Sequence, residues 1–75
     1  RSVLSRKGKA IALSKDHKPE DKIEKDRILE AGRTVEKGRI NSHLNLSRCL
    51  GDHHYKNNKS LPAEKQVIIA KPDVF

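Results

Sequence analysis

The sequence predicts an α+β chain, and three observations carry that reading. An alternating segment surrounds a glycine turn near the start, one charge-rich helical stretch follows, and a short apolar run lies near the end. Strands, a single helix and a loop-rich middle make a mixed α and β chain.

Val3-Leu4, then Arg6-Lys7-Gly8-Lys9, then Ala10 to Leu13 predicts two short strands around a glycine-containing turn, a hairpin. Asp16-His17-Lys18-Pro19 punctuates the chain, and a helix is expected over residues 19–31. Pro19 suits a first helical position, where its missing N–H costs nothing. Glu20 and Asp21 meet the positive end of the helix dipole. Asp21 with Lys25 and Lys22 with Asp26 are i,i+4 pairs. Ile23, Ile28, Leu29 and Ala31 are expected to form one narrow apolar stripe, with Gly32 as the stop.

Beyond Gly32, Thr34-Val35 and Arg39-Ile40 flank Lys37-Gly38 and suggest a short turn with little strand. Leu44, Leu46 and Leu50 follow no clean period, so helix and strand compete there. Residues 53–66 are polar and read as a loop, and Val67 to Ala70 as a strand. Pro72 interrupts before Val74-Phe75.

Composition bounds the function. Leu, Ile, Val and Phe make up about a quarter of the 75 residues, and the aromatic residues are Tyr55 and Phe75 alone. That is little apolar material for a short chain with no disulfide pair, and it reads as a fragment of a larger domain. A net charge of +7 suits acidic partners. The ten acids are interleaved with the bases, however, and no aromatics alternate with them as a stacking platform for single strands requires. Nucleic acid is therefore not expected as a partner. The longest apolar run, Val67 to Ala70, is far short of a membrane span. One cysteine, Cys49, fits a reducing compartment, and a cytoplasmic or nuclear location is expected.

No complete active site emerges from residue types and spacing alone. Cys49 with His43, His53 and His54 lacks the paired ligand spacings of a zinc site. Cys49 has no visible base to make it a nucleophile. The glycines have neither dinucleotide-binding nor P-loop spacing. Arg39 and Arg48 can each grip a phosphate or carboxylate bidentately. The acids between Glu20 and Glu30 read as the solvated face of a helix.

Three blocks change this picture. Ser14-Lys15-Asp16-His17-Lys18-Pro19 leads, after a charged helix, into Ala31-Gly32. Arg39-Ile40-Asn41 leads into Leu44-Asn45-Leu46-Ser47-Arg48-Cys49-Leu50-Gly51-Asp52. Tyr55-Lys56 is followed by Val67-Ile68 and Pro72-Asp73-Val74. In this order and spacing they resemble the DHKP…RIxxAGG, RVNGxLx[LV]SR[AS][LI]GD and P[DE][VI] blocks of PP2C-type serine/threonine phosphatases. Arg1-Ser2-Val3-Leu4 resembles the residues after that family's GDS turn. Two positions depart from the pattern: Arg33 and Ser42 stand where the family usually has glycine, a residue that often marks positive φ.

The resemblance implies a fragment of an α-β-β-α sandwich, from an enzyme that hydrolyses phosphoserine and phosphothreonine in protein substrates. It implies two Mg²⁺ or Mn²⁺ ions that activate a water. Their aspartates belong to Asp-Gly segments, and this chain contains no Asp-Gly dipeptide. The resemblance therefore places no catalytic residue or metal ligand in this chain, leaves it inactive alone, and implies a monomeric parent enzyme. It divides the chain into scaffold strands and helix (about 1–32), a flap-like region (about 33–60) and a closing strand region (about 61–75). Arg39 and Asn41 become candidates to face substrate, and Asp16, His17, Pro19, Arg48, Gly51 and Asp52 structural positions. The competing expectation is a small basic binding module without enzymatic activity.

Overall fold

A computed structural model describes residues 1–74; Phe75 lies outside the described residues. Strand β1 (Val3–Arg6) pairs antiparallel with β2 (Lys9–Ala12) in the register Val3↔Ala12 to Arg6↔Lys9. The two-residue connection places Lys7 at φ +50° and Gly8 at φ +74°. Both are left-handed, as in the turn whose twist matches a hairpin's strands. Every residue of β1 and β2 is exposed. The predicted hairpin is present and carries none of the core.

Helix α1 runs over Lys22–Glu30, shorter than the expected 19–31. Asp21, not a residue before Pro19, is the N-cap, and Pro19 is buried in the turn before it. The Asp21 carboxylate accepts the Lys18 N–H at 3.1 Å rather than pairing with Lys25, whereas Lys22 and Asp26 do pair, at 3.0 Å. At the far end, Gly32 N–H donates to the Leu29 carbonyl and Arg33 N–H to that of Ile28, at 3.0 and 3.1 Å. This pair of hydrogen bonds closes the helix as a Schellman motif, and Gly32 at φ +88° supplies the left-handed residue it needs.

The expected apolar stripe does not form. Ile28 is fully buried, but Ile23 is 76% exposed and Leu29 49%. At 100° per residue, Ile23 and Ile28 stand about 140° apart and cannot share a face. The inward positions are Glu24, Arg27, Ile28 and Ala31, spaced i, i+3, i+4, i+7.

Strands β3 (Val35–Glu36) and β4 (Arg39–Ile40) form a second small hairpin across Lys37-Gly38, with Val35↔Ile40 and Glu36↔Arg39 opposite. The predicted strand over Val67 to Ala70 reduces to one parallel bridge, Arg48↔Ile69. Val67, Ile68 and Ile69 are still buried, Val67 and Ile68 packing with Ile28, Ile40 and Tyr55 into the core, while Ala70 is exposed. The expected loop over 53–66 contains two 3₁₀ turns, His53–Tyr55 and Ala63–Lys65. The buried Gln66 amide clasps that loop, donating to the Asn58 and Leu61 carbonyls and accepting the Asn58 N–H.

Candidate functional site

The inward face of α1 presents a carboxylate. Glu24 is 2% exposed and lies beneath the segment Ser47–Arg48. Taking an ionised carboxylate out of water costs several kcal/mol unless it is paired and hydrogen-bonded. Here every demand is met. Arg48 donates from both Nε and Nη2, at 2.8 Å each, a bidentate fork. Ser47 Oγ donates at 2.9 Å and Arg27 Nη1 at 3.1 Å. Burial pushes the Glu24 carboxyl up, but the bonds from Arg48, Ser47 and Arg27 outweigh it and hold the group at about 2. The bond to Glu24 in turn raises the Arg48 guanidinium above its ordinary value.

The network extends outward from these two arginines. Arg27 donates to the carbonyls of Gln66, Ser47 and Val67, at 3.1, 2.9 and 3.3 Å. Arg48 Nη1 reaches Asp73 at 2.8 Å and the Lys71 carbonyl at 3.0 Å. Asp73 also meets His17 Nε2 at 2.9 Å, and His17 followed by Arg48 holds the Asp73 carboxyl below its usual range. Helix, middle segment and final stretch are thereby joined around one buried carboxylate.

Of the positions singled out from sequence, His17 and Arg48 enter this network. Pro19 is buried just before α1, and Asp16 pairs with Arg1, whose hydrogen bond lowers its carboxyl. Asp52 accepts the Cys49 thiol at 2.9 Å. Burial, then Asp52, pushes that thiol up, away from the thiolate a nucleophile needs. Gly51 at φ +78° and Asp52 at +51° make a left-handed step into the 3₁₀ turn. Arg39 is exposed and donates to the His43 carbonyl at 2.9 Å. The Asn41 side-chain oxygen accepts from the Thr34 N–H and hydroxyl at 3.3 Å, which fastens the base of the β3–β4 hairpin. Neither Arg39 nor Asn41 joins the Glu24 network.

Sequence reading missed Glu24, Arg27, Ser47 and Asp73. The solvated face it assigned to residues 20–30 contains Glu24, the most buried charged side chain among the described residues. A signal was available: counting i, i+3, i+4, i+7 back from Ala31 lands on Glu24 and Arg27, opposite charges on the face of Ile28.

The donor set does not fit a metal ion. Glu24 is committed to two guanidinium groups and a hydroxyl, Asp73 to an imidazole and a guanidinium, and Asp16 to Arg1. Among the described residues no group of three or more His, Cys, Asp or Glu is placed to hold one.

The family model of protein phosphatase 2C matches residues 1–75. The chain belongs to that family. It is 55% identical over 74 residues to an Arabidopsis thaliana "Probable protein phosphatase 2C 21", covering 99% of this chain and 21% of that protein. It is 56% identical over 75 residues to the Homo sapiens "Protein phosphatase 1G", covering 99% of this chain and 14% of that one. The crystal structure of a Toxoplasma gondii phosphatase aligns with a TM-score of 0.80 at 43% identity, over 95% of this chain and 22% of that chain. The chain thus spans about a fifth or less of the relatives it matches.

Proposed function

We propose that this chain is a scaffold-and-flap segment of a protein serine/threonine phosphatase. The full-length protein hydrolyses phosphoserine and phosphothreonine in protein substrates, and Mg²⁺ or Mn²⁺ is its metal. The observation that carries this reading is the match to the phosphatase family along the whole chain, with its motif blocks joined physically through Glu24. The carboxylates of Glu24, Asp73 and Asp16 are already spent on guanidinium, imidazole and hydroxyl partners, and in this reading the segment's own residues position and support. α1 and the Glu24 network form the support. The flap is the region of about residues 33–60; its part 33–46, with the β3–β4 hairpin, is the stretch that this support holds, and Arg39 is its candidate contact to a protein substrate. The basic-module alternative gains nothing from the comparisons: the matched relatives are phosphatases.

The experiment is hydrolysis of a phosphothreonine peptide by the full-length protein after chelation, with divalent cations added back. Turnover that vanishes with chelator and returns with Mn²⁺ or Mg²⁺ is expected. A protein that never turns over but binds a random oligonucleotide with steep salt dependence is a basic binding module instead.

A further inference from the structure

Both ends of the stretch 33–46 are tied to the same helix. Its first residue leaves α1 through the Schellman bond from Arg33 to Ile28. Its far end is Ser47–Arg48, and both of those side chains donate to Glu24, one turn from the start of α1. Between the two ties β3 and β4 are two residues each, a pair of strands that is marginal in water by itself, and the core contacts there are Ile40 with the partly buried Val35 and Leu44. Ile40 is its only fully buried apolar side chain among the described residues. Its orientation therefore depends heavily on its ends, and at the far end the Glu24 carboxylate is the one group that takes both the Ser47 and the Arg48 side chains, beside the Arg48↔Ile69 bridge and the bond from Arg27 to the Ser47 carbonyl.

The rotation of α1 makes the same point. Turning the helix to bury Ile23 in place of Glu24 would hide an apolar side chain that now stands 76% exposed, and would return a charge to water. Instead, the charge is inside and every buried side-chain nitrogen and oxygen among the described residues has a partner. A buried ion pair is weak evidence for stability and is best attested as a device that fixes geometry. From these observations we infer that Glu24 is a positioning residue: through Ser47 and Arg48 it fixes the orientation of the flap, and so the grip on protein substrates, without touching them. The link to substrate rests on the phosphatase reading; the link to flap order does not.

Two variants of the full-length protein test it. Arg48→Lys keeps the charge and loses the fork. Glu24→Gln keeps the shape and loses the charge; should it fail to fold, Arg48→Lys decides alone. Amide hydrogen exchange over residues 38–46 is expected to quicken about tenfold for loss of a charge-assisted bond, while the amides of α1 keep their wild-type rates. KM for a phosphothreonine peptide should rise about tenfold, and KM for p-nitrophenyl phosphate, too small to need the flap, should stay within about twofold. Unchanged exchange in a folded variant overturns the inference. So does faster exchange without the split in KM, or an equal loss of kcat on both substrates, which makes the network general scaffolding. If wild-type protein hydrolyses neither substrate, it is the phosphatase reading that fails, and the exchange rates still decide whether Glu24 orders residues 38–46.

Discussion

Two arginines with the same chemistry have different fates here, and their surroundings decide which. Arg48 is held in a fork by a buried carboxylate and is spent on structure. Arg39 is exposed, and its one bond is to a neighbouring carbonyl, so its guanidinium keeps most of its five donors for a partner. Arg39→Ala in the full-length protein is expected to raise KM for phosphopeptides about tenfold, the loss of one charge-assisted contact of roughly 1.4 kcal/mol, and to leave an aryl phosphate unaffected. Steady-state kinetics on the two substrates decide it: equal losses of kcat place Arg39 in the scaffold, and no change makes it a solvated base. Glu24 carries a pH signature. Its carboxyl falls from 4.5 to about 2 on folding, so the unfolded chain takes up the proton first as pH drops. The contribution of the ionised carboxylate is complete above pH 4.5 and is lost as pH falls towards about 2. Denaturant midpoints of the full-length protein between pH 6 and pH 2 should decline less steeply in Glu24→Gln than in wild type. Parallel declines contradict the assignment.

At the scale of elements, turn chemistry was legible and long-range pairing was not. Lys7-Gly8 announces the first hairpin, Lys37-Gly38 the turn of the second though little of its strand pairing, and Gly32 the end of α1, because each puts a left-handed residue where the backbone requires one. The start of α1 was misplaced because Pro19 fits a first helical turn equally well by local rules, and only the extended backbone of Asp21 (φ −61°, ψ 136°) puts it outside. The inward register of Glu24 could be counted from Ala31, but its pairing was illegible for a different reason. Its partners Ser47 and Arg48 lie 23 and 24 residues away, and a glutamate in a charged helix looks solvated until they are found. The strand expected at Val67 to Ala70 reflects β-branched residues that are buried by packing, with Ile69 alone bridging to a neighbour. Of the two departures from the family pattern, Ser42 is the strained one: it adopts φ +64° after Asn41 at φ +50°, whereas the left-handed residue near Arg33 is Gly32 itself. Ser42→Gly is expected to be neutral or to stabilise by up to about 1 kcal/mol, since relief of the left-handed strain offsets the bond from Ser42 Oγ to Glu36. Ser42→Val should destabilise by more than about 1 kcal/mol, because a β-branched residue tolerates positive φ poorly. Thermal melting of the two full-length variants orders them, and the reverse order would refute the strain.

For the described chain as a whole, the core is small and the apolar surface large. Five buried side chains, Ile28, Ile40, Tyr55, Val67 and Ile68, form the central cluster. Val3, Leu4, Ile11 and Leu13 stand exposed on or beside the first hairpin, and Leu50 and Val74 are exposed elsewhere. A nine-residue helix is below the length at which isolated helices hold in water. The isolated segment is therefore expected to melt broadly, without a cooperative transition; a sharp two-state unfolding of the monomer by circular dichroism would contradict this. The central claim is that these residues support and orient a phosphatase site whose reacting groups come from elsewhere in the protein. Its most direct test is hydrolysis of a phosphothreonine peptide in millimolar Mn²⁺, measured side by side for the full-length protein and for this 75-residue chain. Turnover by the former and a rate at the buffer blank for the latter are expected; turnover by the segment clearly above that blank would place reacting groups within these 75 residues.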